Sequence, residues 1–319
     1  MKKRVLSIIT LLVMVSTLFS GCSGEKKDVF NIGVCQLVEH PALDAATKGF
    51  MDALTGKLGA DKVKFDVQNA QGEQATSATI CNGFVADNVD LILANATTPL
   101  QTAAAATSSI PILGTSVTDY ASALQISSWN GSTGRNISGT SDLAPIDQQE
   151  KMIKELFPDV KKVGLLYCTA ESNSAYQIEM IIKALEADGI AYVKYGIADS
   201  NEIQSVVTNA ASECDVLYIP TDNTLADATE TIYNIVVPAK VPVIAGEEGI
   251  CKGCGVATLS ISYYDLGYTT GEMAYEILVN GKDIKSYEVK YAPNTTKEYN
   301  KSICEKLGIS VPSDYTAIE

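Results

Sequence analysis

Short apolar runs alternate with helix-spaced segments along most of this chain, and the alternation starts twice. Residues 30–35 (FNIGVC), 63–67, 90–94 (DLILA) and 110–113 (IPIL) read as strands. Between them, residues 41–58, 74–88 and 98–107 repeat small or apolar residues at helical spacing. The order then restarts with a helix over 145–157, closed by Pro158, and a strand over 162–167 (KVGLLY). A helix over 172–188 follows, stopped by Gly189, then a strand at 190–193, a helix at 201–211 and a strand at 215–220 (DVLYIP). Residues 224–236 read as a helix, 241–245 and 255–259 as apolar runs, and 263–279 as a helix ended by Asn280-Gly281. An extended piece at 287–291 and a helix over 297–307 complete the pattern. Continuous apolar strands are buried on both faces, as in parallel sheets. Strand–helix alternation supplies the crossovers that parallel strands need. The pattern predicts an α/β protein of two doubly wound, Rossmann-like lobes, divided near residues 142–145. Ligands of such sheets sit beyond the C-terminal strand ends, so the cleft between the lobes is the expected site.

The first residues do not belong to that pattern. Lys2, Lys3 and Arg4 precede a mostly apolar run over 5–19. The run is shorter than the roughly 20 residues of a membrane span and fits an export signal. Leu18-Phe19-Ser20-Gly21-Cys22 resembles the lipobox of bacterial lipoproteins, in which the cysteine is diacylated and becomes the first mature residue. That resemblance implies a signal peptide over 1–21 and a lipidated tether over 22–28. Two acyl chains hold a protein stably. The expected location is therefore the outer face of the bacterial cytoplasmic membrane, touched through the lipid on Cys22 only.

Charge and residue counts remove several function classes. Lys and Arg number 24 against 38 Asp and Glu, a net charge of −14. Polyanion binding relies on basic residues, and the only arginines are Arg4 and Arg135, so no nucleic-acid partner is expected. A single histidine, His40, cannot build a His-rich metal site and leaves little for a nucleophile–base triad. No phosphate-binding loop, nucleophile elbow or strand-borne dinucleotide fingerprint occurs. Cys251-Lys252-Gly253-Cys254 has no second pair to complete zinc ligation; it reads as a local disulfide or two free thiols. Beyond Cys22, seven cysteines remain, an odd number that cannot all pair. Cys35, Cys168 and Cys214 lie in or beside apolar runs and read as core thiols. No cofactor and no metal is expected.

Chemistry gathers where the strands end. Glu39 and His40 follow the first strand, Asn95 and Thr98 the third, Ser116 and Thr118 the fourth. In the second half, Glu171, Asn173 and Ser174 follow one strand end, Asp222 and Asn223 the next, and Glu247 the last. Each alone is a good helix N-cap. Six such loops on the same sheet edges point to a cleft for a polar ligand. Helix N-termini offer free N–H groups and a positive dipole end to a carboxylate, and Asn95, Thr98, Ser116 and Thr118 are placed for that. Glu171, Asp222 and Glu247 suit an ammonium. His40 either lies against a ligand ring or caps its helix. One of Tyr263, Tyr264 and Tyr268 lines the cleft, and Trp129 is a surface or hinge anchor.

The segments QLVEHPALDAA, QNAQGE, VDLILANATTP, PILGTSVTDY, SGTSDLAP, ESNS, YIPTDNT and ATLSISYYDLGYTTGEMA resemble one family. It is the ABC-transporter substrate-binding lipoproteins associated with tryptophan and other aromatic amino acids. The resemblance runs from about residue 31 to 312. It implies a periplasmic-binding-protein fold of the branched-chain-amino-acid/LacI type with three crossings between lobes. On that pattern lobe one is 29–142 plus 257–282, and lobe two is 143–256 plus 283–319. It also implies a monomeric solute receptor that closes its hinge around tyrosine, tryptophan or phenylalanine and docks on an ABC permease. The chain departs from the family in the Gly246-Glu247-Glu248-Gly249 loop, where many relatives carry an aspartate. Two other readings share the scaffold: a surface adhesin or sensory receptor, and an α/β enzyme acting on a small polar substrate.

Overall fold

The computed structural model describes residues 29–292 and 294–318; the expected signal peptide and the whole expected tether, Cys22 included, lie outside them. The first lobe is built on β1 (Phe30–Gln36), β2 (Val63–Asn69), β3 (Leu91–Asn95), β4 (Ile112–Val117) and β5 (Ile137–Ser141). Its helices are α1 (Pro41–Leu58), α2 (Gln74–Ala86), α3 (Thr97–Ala106) and the short α4 (Tyr120–Ala123). The second lobe starts with α5 (Ile146–Leu156), β6 (Lys162–Cys168), α6 (Ser172–Ala187), β7 (Ala191–Ile197), α7 (Ile203–Glu213) and β8 (Val216–Ile219). It continues through α8 (Asn223–Asp227), α9 (Thr229–Ala239), β9 (Val243–Ala245), α10 (Glu248–Cys254) and β10 (Ala257–Ser260). Then come α11 (Tyr263–Leu278), β11 (Lys290–Tyr291), β12 (Thr296–Tyr299), α12 (Lys301–Leu307) and β13 (Thr316–Ala317). The strand orders are β11-β5-β4-β3-β1-β2 and β13-β12-β10-β9-β8-β6-β7. All pairings are parallel except β10 with β12. The two-lobe α/β expectation holds. Strands β3, β4, β8 and β9 are buried throughout, as continuous apolar runs require.

The structure corrects the expected crossings. β10 pairs with β9 in the second sheet, and the Val256 N–H donates to Val243 O. Residues 257–260 therefore stay with the second lobe instead of opening the return to the first. β11 pairs with β5 in the first sheet, so residues 283–291 belong to the first lobe instead of the second. Ile284 and Tyr287 are buried in that lobe's core with Met273 and Ala274, and the Ser138 hydroxyl donates to Tyr287 O. The second and third crossings thus fall just after Ser260 and just after Tyr291. Smaller corrections follow. The expected helix over 224–236 is two helices joined at Ala228. Residues 297–299 are the antiparallel strand β12, because Asn300 accepts from the Ile303 N–H and starts α12 only there. β5 and α10 were not anticipated.

α11 lies on α1 at a glycine-lined contact. A Cβ on Gly267 would sit 1.9 Å from the Ala46 carbonyl oxygen, and one on Gly49 would sit 2.1 Å from that of Tyr264. This approach fixes α11 and, at its first turn, Tyr263. Gly267→Ala is expected to cost about 1–3 kcal/mol despite alanine's better helix propensity. Gly56→Ala, with open space around its Cβ, is expected to be neutral or stabilising by up to about 1 kcal/mol. Chemical denaturation of both variants checks the pair; equal effects would reject the close-contact account.

Candidate functional site

The C-terminal strand ends of both lobes face each other across a closed cleft. Its centre is lined by His40, Ser116, Thr118 and Asp142 from one side and by Asn173, Asp222, Asn223 and Glu247 from the other, with Tyr263 at the hinge side. The enclosed cavity is about 10 Å³, room for roughly one water molecule. Across the cleft, His40 Nε2 lies 3.2 Å from Asn223 Oδ1.

The two sides differ in charge. In the second lobe the helix N-termini are occupied by their own acids. Asp222 accepts from the Leu225 N–H at 2.9 Å and from the Cys168 N–H at 2.6 Å. Glu247 accepts from the Gly249 N–H at 2.6 Å and from the Ile250 N–H. These carboxylates cancel the positive ends that an anion would seek. Burial disfavours their charged forms, pushing Asp222 up to about 8, aided by the charge of Glu171, and Glu247 up to about 7. Asp142 accepts from Thr118 Oγ1 at 2.9 Å and from the Tyr263 hydroxyl at 3.0 Å, and burial raises it as well. No lysine or arginine lines the cavity among the described residues.

The first lobe presents uncharged groups. Burial lowers the His40 pKa, so its imidazole is neutral near pH 7. Its Nδ1 and the Ser116 hydroxyl are buried without a partner, and His40 supplies no side-chain cap to α1. Ser116 has φ +55 and Ala96, at the neighbouring strand end, φ +101. Such backbone costs about 1–3 kcal/mol per residue and clusters at binding sites.

The expected site residues separate into groups. His40, Ser116, Thr118, Asn173, Asp222, Asn223 and Glu247 meet around the cavity. Glu171 stands behind it, fully engaged by Asn173, Asn223 and Thr224; it is a brace and does not present itself to an ammonium. Ser174 is buried against Asn173 and Asp222. Asn95 donates to Leu43 O and Thr47 Oγ1, holding α1 to β3. Glu39 is exposed beside a surface groove, and Thr98 is half-buried outside the cavity lining. Tyr263 is the tyrosine at the cleft, while Tyr264 and Tyr268 are exposed. Trp129 stacks on Tyr120 within the first lobe, ring centroids 6.5 Å apart. Sequence reasoning missed Asp142 and Thr221. All seven described cysteines are free, buried thiols, Cys251 and Cys254 included.

Beside the hinge, a second cavity of about 440 Å³ shares Glu247 and Tyr263 with the first. Ala42, Ala45, Ile261 and Leu266 give it apolar surface.

The sequence profile of a family described as ABC transporter substrate binding protein matches residues 31–317. A tyrosine-binding protein of Clostridioides difficile is 36% identical over 320 residues, 96% of this chain and 92% of that one. An ABC domain from Streptococcus pneumonia in complex with L-Trp is 33% identical, with a TM-score of 0.85 over 89% of this chain and 96% of that one. The ligand-free, open structure of a substrate-binding protein with adhesive properties from Clostridium difficile is 36% identical. Its TM-score is 0.69, over 91% of this chain and 99% of that one. The fit to the open form is poorer although the identity is higher, in keeping with lobes closed on one another here.

Proposed function

Since the chain belongs to the ABC transporter substrate-binding proteins, which bind small molecules for a permease and are not enzymes, we propose that it captures an aromatic amino acid for import. The observation that carries this reading is the polarity of the buried cleft. Partnerless Ser116 Oγ and His40 Nδ1 lie on the first lobe, and the carboxylates of Asp222 and Glu247 on the second. An α-carboxylate meets the former and an α-ammonium the latter. The ring goes to the larger hinge-side cavity, because the central one is too small and too polar. The C. difficile relative named for tyrosine and the S. pneumonia complex with L-Trp support an aromatic side chain. Contacts to both lobes favour the closed form, and closure is what the permease reads. Members of the family act outside the cytoplasm. Among the described residues no helix is long and apolar enough to cross a membrane. A lipid on Cys22 holds this monomeric receptor at the outer membrane face.

Thermal unfolding of residues 23–319 with each amino acid in turn tests the reading. Ligand at about 100 times its Kd adds about 2.7 kcal/mol to the folded state. The expected result is a rise in Tm of several degrees with tyrosine, tryptophan or phenylalanine and none with aspartate or glutamate. No rise with any aromatic amino acid sinks it.

A further inference from the structure

Among the described residues, three carboxylates (Asp142, Asp222 and Glu247) border the central cavity, and neither cavity is lined by a lysine or arginine. The larger cavity adds Glu248, Asp265 and Glu298, again all acidic. An α-carboxylate entering this space meets no fixed positive charge. What it meets is neutral: the Ser116 hydroxyl and the His40 imidazole, both more than nine-tenths buried and both with an unpartnered atom at the cavity. An ammonium meets the opposite situation, with buried carboxyl groups that have no cationic partner of their own and that ionise to receive it.

From this asymmetry we infer that the site recognises its ligand through the ammonium and tolerates loss of the carboxylate, so that aromatic primary amines are ligands alongside the amino acids. The inference rests on the aromatic-amino-acid reading of the cleft and extends its substrate class. Hydrogen bonds between neutral partners contribute little net free energy, whereas those to a buried charge contribute more and leave a larger penalty when broken. Removing the ligand carboxylate gives up only bonds to neutral groups and relieves its repulsion by the three acids. Removing the ammonium forfeits the charge-assisted bonds to those acids, which must then stay protonated or carry uncompensated charge in a closed, desolvated space. The hinge-side cavity reinforces the preference, because its acids favour a ligand of net positive charge at long range.

Titration calorimetry on the mature chain separates the two head groups. The probes are tyrosine, tyramine and 3-(4-hydroxyphenyl)propionate, with tryptophan, tryptamine and indole-3-propionate as the matched series. In the series whose amino acid binds, the amine is expected within about tenfold of the amino acid, and the acid lacking the ammonium weaker by about a hundredfold or more. An amino acid that binds while its amine is weakened more than its desamino acid overturns the inference and leaves the aromatic-amino-acid reading standing. Binding of neither the amino acids nor the amines overturns both. Tight binding of the amines alone upholds the charge preference and overturns import of amino acids.

Discussion

Replacing Glu171 with glutamine is expected to destabilise the protein by about 3 kcal/mol, a fall in Tm of roughly 4–5 °C for a chain of this size. The carboxylate is buried. One oxygen accepts from the Thr224 N–H and hydroxyl, both at 2.8 Å. The other accepts from the Asn223 N–H, Asn223 Nδ2 and Asn173 Nδ2. Every neighbour is a donor. A glutamine amide keeps the shape but turns its own N–H bonds onto those donors, leaving buried groups unsatisfied. The loss carries into function, because Glu171 holds the Asn223 side chain whose Oδ1 faces His40 across the cleft. The variant should therefore also bind ligand more weakly by favouring the open form. Asp147→Asn breaks an ion pair whose side chains are 69% and 66% exposed and is expected to shift stability by less than about 0.5 kcal/mol. Circular-dichroism melts of the two variants decide the matter; a Glu171→Gln Tm within about 1 °C of the parent, under 1 kcal/mol on that scale, would remove the brace role.

Ligand affinity is expected to rise about tenfold between pH 6 and pH 8, with a proton released on binding. Within the cleft Glu247 is pushed up to about 7 and Asp222 up to about 8, first by burial, with Glu171 adding to the second. Both carry protons at the acid end of that window. An ammonium favours their ionised forms and so expels a proton. Folded-state pKa values above the unfolded ones mean that these acids contribute stability which is full below about pH 4. That contribution is lost as pH rises through about 7 and 8. The ligand restores part of it. His40 works the other way: its lowered pKa, caused first by burial, removes stability as pH falls through about 6.5. The opposed trends blur a melting curve of the empty protein. Calorimetric affinities in buffers of different ionisation heat isolate the linkage. Affinity that is flat across the window, or proton uptake on binding, would reject it.

What the sequence made legible was whatever a local pattern can carry. Continuous apolar runs identified the buried strands, and residues at their ends led to His40, Ser116, Thr118, Asn173, Asp222, Asn223 and Glu247 around one cavity. The failures have physical causes. β5 (ISGTS) is buried, but three of its five residues carry hydroxyls, so hydropathy does not mark it. α10 carries its apolar and cysteine residues between glycines, which weakens any helical signal. The crossings depend on which sheet edge accepts β10 and β11, a long-range pairing invisible to periodicity. Asn95 and Glu171 have the side chains of binding residues, yet Asn95 spends its amide N–H groups and Glu171 its carboxylate on neighbouring elements. Asp142 sits at the join between lobes, in a segment whose composition reads as a loop. The Thr118 and Tyr263 hydroxyls, from distant parts of the chain, turn it toward the cleft.

The order in which the strands enter the sheets bears on how the polypeptide acquires its shape during synthesis. The first sheet takes its edge strand β11 from residues 290–291, and its core includes Met273, Ala274, Ile284 and Tyr287. The main body of the second sheet, β6 to β10, lies between these pieces in sequence. A chain emerging amino end first therefore completes most of the second lobe while the first still lacks its covering helix and one edge. The lobe that starts first is finished later, like an outer bracket closed after the inner one. Truncation near residue 260 leaves the early half with apolar surface uncovered.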